Sequence, residues 1–212
     1  MRHDDDFDDV TGVILAGGRS SRMGRDKAML KVGEETFFDR ILRLMQSFFP
    51  QVIIAGNRPD LMRPGVPYYP DNYPGSALGG LYTGLFAAQT EKIFVSSCDI
   101  PFPSPDIIRI ILSERGSFDV VVPKTPDGFE PLFGLYHKNC LPPMRDMLER
   151  KEYCVFDFYP LMRVRYLSVA ELPPDWRWSL MNVNTPEELN SLRESVRRRT
   201  DSGAYSRNAV VR

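Results

Sequence analysis

The chain has 212 residues, of which 42% are hydrophobic and 26% charged, and its formal net charge is −1. This size and composition are typical of one folded α/β domain and exclude disordered, collagen-like and coiled-coil classes. No apolar run reaches the roughly 18–20 residues of a membrane span, and the acidic N-terminus is unlike a secretory signal. The three cysteines are scattered, which predicts neither a disulfide framework nor a zinc site. We therefore expect a cytoplasmic protein without membrane contact.

Opposite charges are concentrated at the two ends of the chain. Residues 1–9 carry five aspartates and one arginine, whereas residues 197–212 carry five arginines and one aspartate. Neither segment has apolar periodicity, so we predict a disordered acidic arm and a disordered basic tail around a single domain over residues 10–196. A short arginine run more often solvates a helix end than binds nucleic acid, and no nucleic-acid partner is expected.

Between these ends, predicted strands alternate with predicted helices. Short apolar runs bounded by glycine, proline or polar residues predict strands at Val10–Leu15, Val52–Ala55, Val66–Tyr69, Lys92–Ser96 and Asp119–Val122. Apolar residues at helical spacing predict helices at Phe37–Phe48, Leu78–Ala88, Pro105–Leu112 and Cys140–Glu149, and a capping box opens a last helix at Thr185. The alternation predicts a three-layer α/β/α Rossmann-like fold with a mostly parallel central sheet.

Polar or glycine-rich segments follow three of the predicted strands. These segments are Gly17–Lys27, Gly56–Asn57 and Cys98–Asp99. Ligands of such sheets bind beyond the carboxyl ends of the strands, so we expect the three segments to meet at one edge.

The first of these segments has the composition of a phosphate-binding loop. Glycines let backbone N–H groups approach an anion, and positive charge surrounds them at Arg19, Arg22, Arg25 and Lys27. The loop is neither a Walker A motif nor a dinucleotide fingerprint, because Gly17 and Gly18 are adjacent and no Ser or Thr follows Lys27. A Rossmann dehydrogenase is therefore disfavoured, and a solvated basic turn is the alternative interpretation.

The run L-A-G-G-x-S-x-R-M-G-x-D-K, at residues 15–27, resembles the MobA-type nucleotidyltransferases, the molybdenum cofactor guanylyltransferases. Three further motifs follow in the order typical of that family: Asp71 with Pro74–Gly80, Cys98–Pro101 and Asn182–Leu189. The resemblance spans about residues 10–195. It implies a nucleotidyltransferase fold and a Mg²⁺-dependent transfer of GMP from GTP to the terminal phosphate of molybdopterin, with release of pyrophosphate. Molybdenum-insertion and molybdoenzyme-maturation proteins are the implied partners.

The resemblance also implies roles for individual residues. Asp99 would hold Mg²⁺ and, with Lys27 and Arg22, form the catalytic set. Where several relatives have an asparagine, this chain has Ala55, which leaves Asn57 as the candidate from that loop. The implied GTP-binding residues are Leu15, Ala16, Gly17, Gly18, Lys27, Asn57, Asp71, Gly79 and Asp99.

The chemistry of the residues is compatible with this reaction independently of the family. A phosphate acceptor is already anionic, so nucleotidyl transfer needs alignment and charge neutralisation rather than a protein nucleophile. Asp99, alone at the end of a central strand, suits Mg²⁺, although it could instead cap the helix beyond Pro101 and Pro103. Asn182 and Asn184 would face one side and complete the metal site or hold the acceptor, or Asn184 would only start the following turn.

Other functions remain open at this point. A cytidylyltransferase acting on the same cofactor is disfavoured because glycine at position 17 leaves room for a purine. A sugar-phosphate nucleotidyltransferase would use the same phosphate chemistry with another acceptor. A non-catalytic nucleotide-binding module would scarcely need Asp99.

Overall fold

The computed structural model describes residues 7–17, 27–32, 34–181 and 188. The strands within these ranges are β1 (Val10–Leu15), β2 (Lys31–Val32), β3 (Glu35–Thr36), β4 (Val52–Ala55), β5 (Tyr68–Tyr69), β6 (Lys92–Ser97), β7 (Val120–Thr125), β8 (Gly128–Phe129), β9 (Phe133–His137) and β10 (Val164–Ser168). The α-helices are α1 (Phe37–Phe48), α2 (Ala77–Ala87), α3 (Pro105–Ser113), α4 (Leu141–Glu149) and α5 (Trp176–Ser179). The helix predicted to open at Thr185 lies outside the described residues.

The central sheet has the strand order β10-β7-β9-β6-β1-β4-β5, and β8 pairs with β7 beside it. β1 is parallel to both β4 and β6, β5 is parallel to β4, and β10 is parallel to β7. β9 is antiparallel to both of its neighbours, β6 and β7. The predicted mostly parallel sheet is confirmed, whereas its strands β8, β9 and β10 were not predicted.

The two faces of the sheet bury different helices, because successive residues of a strand point to opposite sides. On one face Ile14 packs in a cluster with Ile41 of α1 and Ile107 of α3. On the other face Val13 packs in a cluster with Leu81 of α2 and Met144 of α4. The predicted three layers are therefore present.

Helix α2 lies unusually close to β1. A Cβ atom placed on Gly84 would come within 2.5 Å of the Val13 Cγ1 atom, a contact that real side chains do not make. The glycine in the middle of the helix, normally unfavourable there, is explained by this approach. The result is that the first turn of α2 is held directly beside the end of β1.

The folded body begins before the predicted boundary at Val10. Phe7 is 9% exposed and stacks on Phe48, with ring centroids 6.2 Å apart. Asp9 accepts a hydrogen bond from the Arg115 Nε atom at 3.2 Å, and the Arg115 guanidinium covers the Phe7 ring. Residues 7–9 thus belong to the domain, since burying an aromatic ring outweighs the cost of ordering so short a segment.

Among the described residues, the helices are too short or too polar to traverse a lipid bilayer. The three cysteines, Cys98, Cys140 and Cys154, are free thiols, and the first two are buried. The described part of the chain contains no group of three or more His, Cys, Asp or Glu side chains arranged to hold a metal ion.

Candidate active site

The carboxyl ends of β1, β4 and β6 meet at one edge of the sheet, as the sequence predicts. Leu15 pairs with Ala55 of β4 on one side and with Ser97 of β6 on the other. The ladder continues one residue further, since the Ala16 N–H donates to the Ala55 carbonyl at 2.8 Å. The segments that begin at Ala16, Gly56 and Cys98 therefore leave the sheet side by side.

Gly56 makes this close approach possible. Its φ angle is +146°, and a Cβ atom there would lie 2.2 Å from the Ala16 carbonyl oxygen, so no other residue fits without displacing the loop. Ala55 itself is buried against α2, and its carbonyl oxygen is used by Ala16. The position that differs from the family pattern thus contributes to the core, and the next polar side chain is that of Asn57.

Asp71 is fixed by three hydrogen bonds. Its backbone N–H donates to the Asn57 Oδ1 atom at 3.2 Å, which joins two residues that the sequence places 14 positions apart. Its Oδ1 atom accepts from the Tyr73 N–H at 2.9 Å and from the Thr83 hydroxyl at 3.1 Å. Thr83 is buried and also accepts from the Asn72 N–H at 3.0 Å. Sequence reasoning did not find Thr83, because a threonine within an apolar helix carries no motif.

The first turn of α2 lies against Asp71. A Cβ atom on Gly79 would come within 2.0 Å of the Tyr73 carbonyl oxygen and 3.1 Å of the Asp71 Oδ1 atom. The predicted Gly79 therefore shapes the site by admitting the Asp71 loop. The helix begins at Ser76, whose hydroxyl accepts from the Gly79 N–H at 3.0 Å. The positive end of the helix dipole thus lies beside the Asp71 carboxylate.

Asp99 lies at the end of β6 and is half-buried. The Ser97 hydroxyl donates to its Oδ1 atom. The helix-cap alternative for Asp99 is excluded, because α3 is capped by Ser104, whose hydroxyl accepts from the Ile107 N–H at 3.4 Å. The prolines do move the helix start to Ser104, as the sequence predicts, so Asp99 does not cap α3.

A second carboxylate, Glu130, lies close to Asp99. Burial, together with the nearby negative charges of Asp127 and Asp99, raises the pKa of Glu130 from its ordinary value to about 7. Sequence reasoning missed Glu130, which directly precedes Pro131 in the connection from β8 to β9. The available signal was a lone acid before the apolar run Pro131–Tyr136, in a chain region where we predicted no strand.

The phosphate loop is described only at its two ends. Gly17 is exposed, and no described residue lies within 4 Å of a Cβ atom built on it. Lys27 opens a short 3₁₀ helix, Lys27–Met29, against which α1 packs. The predicted site residues Gly18, Arg22, Asn182 and Asn184 lie outside the described residues. The structure therefore brings together Leu15, Ala16, Gly17, Asn57, Asp71, Gly79 and Asp99.

Comparison with known proteins identifies the family. Residues 12–162 match the family model described as "MobA-like NTP transferase domain". The chain belongs to the MobA-like NTP transferase family. A protein of Pelotomaculum thermopropionicum, named "probable molybdenum cofactor guanylyltransferase", is 39% identical over 184 residues, 85% of this chain and 90% of that one. A "molybdenum cofactor guanylyltransferase" of Desulfosudis oleivorans is 34% identical over 90% of this chain and 98% of its own.

Solved structures share the fold of this MobA-like domain. One of them, titled "molybdopterin-guanine dinucleotide biosynthesis protein A" from Archaeoglobus fulgidus, has a TM-score of 0.76 at 20% identity, covering 89% of this chain and all of that one. A 2-C-methyl-D-erythritol 4-phosphate cytidylyltransferase from Thermus thermophilus has a TM-score of 0.63 at 18% identity, covering 89% and 99%. The fold is that of the nucleotidyltransferases, and the MobA-like chain described here is a nucleotidyltransferase.

Proposed function

We propose that this protein transfers GMP from GTP to the terminal phosphate of the molybdopterin cofactor, which yields the guanine dinucleotide cofactor and pyrophosphate. The observation that carries the proposal is the convergence of Leu15, Asp71 and Asp99 at one sheet edge, in a chain that covers at least 90% of two relatives named as guanylyltransferases.

The site divides into two parts along the sheet. The ends of β1 and β4, with the start of α2, form the nucleotide part, in which Leu15 lies 3.7 Å from a Cβ atom built on Gly80. Tyr73 and Thr83 both donate to the Oδ1 atom of Asp71, so the Oδ2 atom is the one that we assign to a ligand. A carboxylate oxygen held in this way accepts hydrogen bonds from the N–H groups of a guanine edge.

The reaction requires no covalent intermediate with the protein. An oxygen of the acceptor phosphate attacks the α-phosphorus of GTP, the bond from that phosphorus to the bridging oxygen breaks, and pyrophosphate leaves with the electron pair. The protein's part is to hold the two phosphate groups in line and to offset their charge. Lys27 and the backbone N–H groups that begin at Gly17 are the groups assigned to the triphosphate.

The donors at the end of β6 fit Mg²⁺, which the family implies. Asp99 offers a carboxylate and Ser97 a hydroxyl beside it, and hard oxygen donors of this kind are the protein ligands that Mg²⁺ prefers. When bound, the ion supplies charge neutralisation at the phosphates. Asp99 is the residue that would anchor it, and the Ser97 hydroxyl keeps the Asp99 carboxylate oriented.

The test is turnover with each of the four nucleoside triphosphates, Mg²⁺ and molybdopterin, followed by pyrophosphate release and by identification of the dinucleotide product. We expect release with GTP that depends on the acceptor. A matched reaction with Asp99→Asn provides the control for a contaminating activity.

The other outcomes select different functions. Faster release with CTP would assign a cytidylyltransferase, and release with a sugar phosphate but not with molybdopterin would replace the acceptor. Tight GTP binding without any turnover would contradict catalysis and leave a nucleotide-binding module.

A further inference from the structure

One arginine of α1, Arg40, lies against the segment that carries Asp99. Its guanidinium carbon lies 5.2 Å from the centre of the Phe102 ring, and its side chain is only 12% exposed. Phe102 follows shortly after Asp99 in the connection from β6 to α3. The negative face of an aromatic ring attracts a guanidinium, and more strongly where water is excluded. The contact between Arg40 and Phe102 therefore attaches this connection to α1.

Arg40 also contacts the segment that follows the phosphate loop. Its Nε atom lies 3.5 Å from the Oε2 atom of Glu35 in β3. Arg43 donates two hydrogen bonds to the same carboxylate, both at 3.0 Å, which hold Glu35 in place. The β2–β3 hairpin directly follows the 3₁₀ helix Lys27–Met29. Arg40 thus joins the part of the chain that begins at Lys27 to the part that carries Asp99.

Helix α1 is the common support of these two parts. Ala28 of the 3₁₀ helix and Ile100 of the β6–α3 connection are buried in the same cluster as Ile41 of α1. Apolar burial is non-directional, so it fixes how far each part lies from α1 better than it fixes their orientation. The planar guanidinium of Arg40, with an aromatic ring and a carboxylate as partners, has the defined geometry that orientation requires.

The chain between Asp99 and Phe102 is short and stiff. Pro101 lies between them with a φ angle fixed by its ring, and Pro103 follows. A displacement of Phe102 is therefore passed to the backbone at Asp99 instead of being absorbed on the way. The Asp99 carboxylate, which the Ser97 hydroxyl orients, would change direction with that backbone.

We propose that Arg40 is a positioning residue: through Phe102 and Glu35 it fixes how the segment with Asp99 lies relative to the segment that begins at Lys27. This inference rests on the proposed function, which assigns Asp99 to the metal ion and Lys27 to the triphosphate. In-line transfer depends on alignment, and a misplacement of about 1 Å costs about 10²-fold in rate. Arg40 therefore acts on the rate of transfer more than on the affinity for the nucleotide.

The first measurement is amide hydrogen exchange in residues 98–104 of the full-length protein, without nucleotide or metal. Arg40→Met removes the charge and Phe102→Leu removes the ring, and we expect each to speed exchange there by about three- to tenfold. Arg115→Met is the matched control. Its guanidinium carbon lies 5.1 Å from the Phe7 ring centre and it pairs with Asp9, but at the opposite end of β1. That variant should leave exchange in residues 98–104 unchanged.

The second measurement is steady-state transfer with GTP, Mg²⁺ and molybdopterin. Arg40→Met and Phe102→Leu should each lower kcat by about tenfold and change the KM for GTP by less than about twofold. If both residues act through their contact, the double variant should be no slower than the slower single variant. Phe102→Tyr, the conservative variant, keeps a ring beside Arg40 and should retain most of the rate. Arg115→Met should match the wild type.

Faster exchange with an unchanged kcat would overturn the positioning role, and so would losses in kcat that multiply in the double variant. Unchanged exchange in both single variants would show that the contact does not order this segment, and the proposal would fail with it. If the wild type transfers nothing from GTP, the proposed function fails and takes the catalytic role of Arg40 with it, whereas exchange still decides whether Arg40 orders the segment. Thermal unfolding of each variant verifies that the fold is intact.

Discussion

The hydroxyl of Thr83 donates to the Oδ1 atom of Asp71 over 3.1 Å, which connects a buried position in α2 to the carboxylate assigned to the guanine. The same hydroxyl accepts from the Asn72 N–H, so one side chain fixes both ends of the Asp71 turn. Because Thr83 is 2% exposed, this arrangement is protected from competing water.

We therefore expect Thr83→Val to weaken GTP binding by roughly three- to tenfold, because one hydrogen bond that orients the Asp71 carboxylate is lost. The rate at saturating GTP should stay close to wild type, because Asp71 does not touch the reacting phosphorus. Calorimetric titration and steady-state kinetics measure the two quantities. Thr83→Ser keeps the hydroxyl and is the control; if it loses as much affinity as valine does, the packing of the methyl group is responsible and the hydrogen bond is not.

Gly17→Ala should change nucleotide binding without changing the stability of the fold. Nothing in the described structure lies within 4 Å of the added Cβ atom, so the melting temperature should not change. If the nucleotide base lies against this glycine, the methyl group should raise the Kd for GTP by about tenfold, or 1.4 kcal/mol, and the Kd for CTP by less. Gly116→Ala, which adds a methyl group at another open position, is the control. Equal losses for GTP and CTP would remove the argument for purine selection at Gly17.

Asp99→Asn should reduce turnover much more than it reduces GTP affinity. A group that anchors charge stabilisation at the α-phosphate acts mainly in the transition state, and loss of one such group reduces kcat by about 10²-fold. Asp106→Asn, an exposed carboxylate in the first turn of α3, should leave both quantities unchanged. Single-turnover and binding measurements decide this prediction. A near-normal rate in Asp99→Asn would move the metal anchor elsewhere, with Asp71 as the next residue to change.

The stability of the sheet should depend on pH through Asp119. Two side-chain N–H groups of Arg163 donate to its carboxylate at 3.0 and 3.1 Å, and Asn139 donates at 2.9 Å. The Arg163 guanidinium holds the pKa of Asp119 well below its ordinary value. A lowered pKa gives stability that is present above the unfolded-state pKa, near about 4, and is lost as the pH falls through the folded-state pKa.

Asp119→Asn should therefore lower the free energy of unfolding by about 1–2 kcal/mol at pH 7, a value reduced by solvent screening because Arg163 is exposed. The difference from wild type should shrink below about pH 4. Urea unfolding at pH 7 and pH 3 measures it. Asp60→Asn removes a carboxylate paired with Arg58 at the surface and should change stability far less. A loss that is constant with pH would show that the charge of Asp119 is not what stabilises β7 and β10.

The sequence predicts the nucleotide part of this site better than it predicts the half of the sheet that contains β9 and β10. Leu15, Asp71 and Asp99 each follow an apolar run or a glycine motif, and the structure places them together. Among the strands that escaped prediction, two did so for clear physical reasons. β10 is an edge strand with the mixed sequence V-R-Y-L-S, and β9 runs against the alternation of strand and helix from which the fold was inferred. Glu130 was missed with β9, because its position near Asp99 follows only from the pairing of β6 with β9.

The burial of Phe7 was also missed, but for a different reason. Its position among five aspartates suggested a solvated arm, and composition outweighed a single aromatic residue. Tertiary packing decides such cases, since one ring covered by Phe48, Phe49 and Arg115 is enough to order the segment beside it.

Because β9 runs antiparallel to its neighbours, the connections at the sheet edge that forms the candidate site differ in how easily they could change in length. Strands β1 and β6 each lead from this edge toward a helix, α1 after β1 and α3 after β6. The chain enters β9 instead from the hairpin β7–β8, and no helix lies between these strands. The turn of this hairpin is exposed at Asp127 and Gly128. Lengthening that turn would change the shape of the candidate site beside β9 and leave the nucleotide part in place. We expect relatives that use different acceptors to differ most in this hairpin, which also makes it the segment to exchange when a new acceptor is engineered.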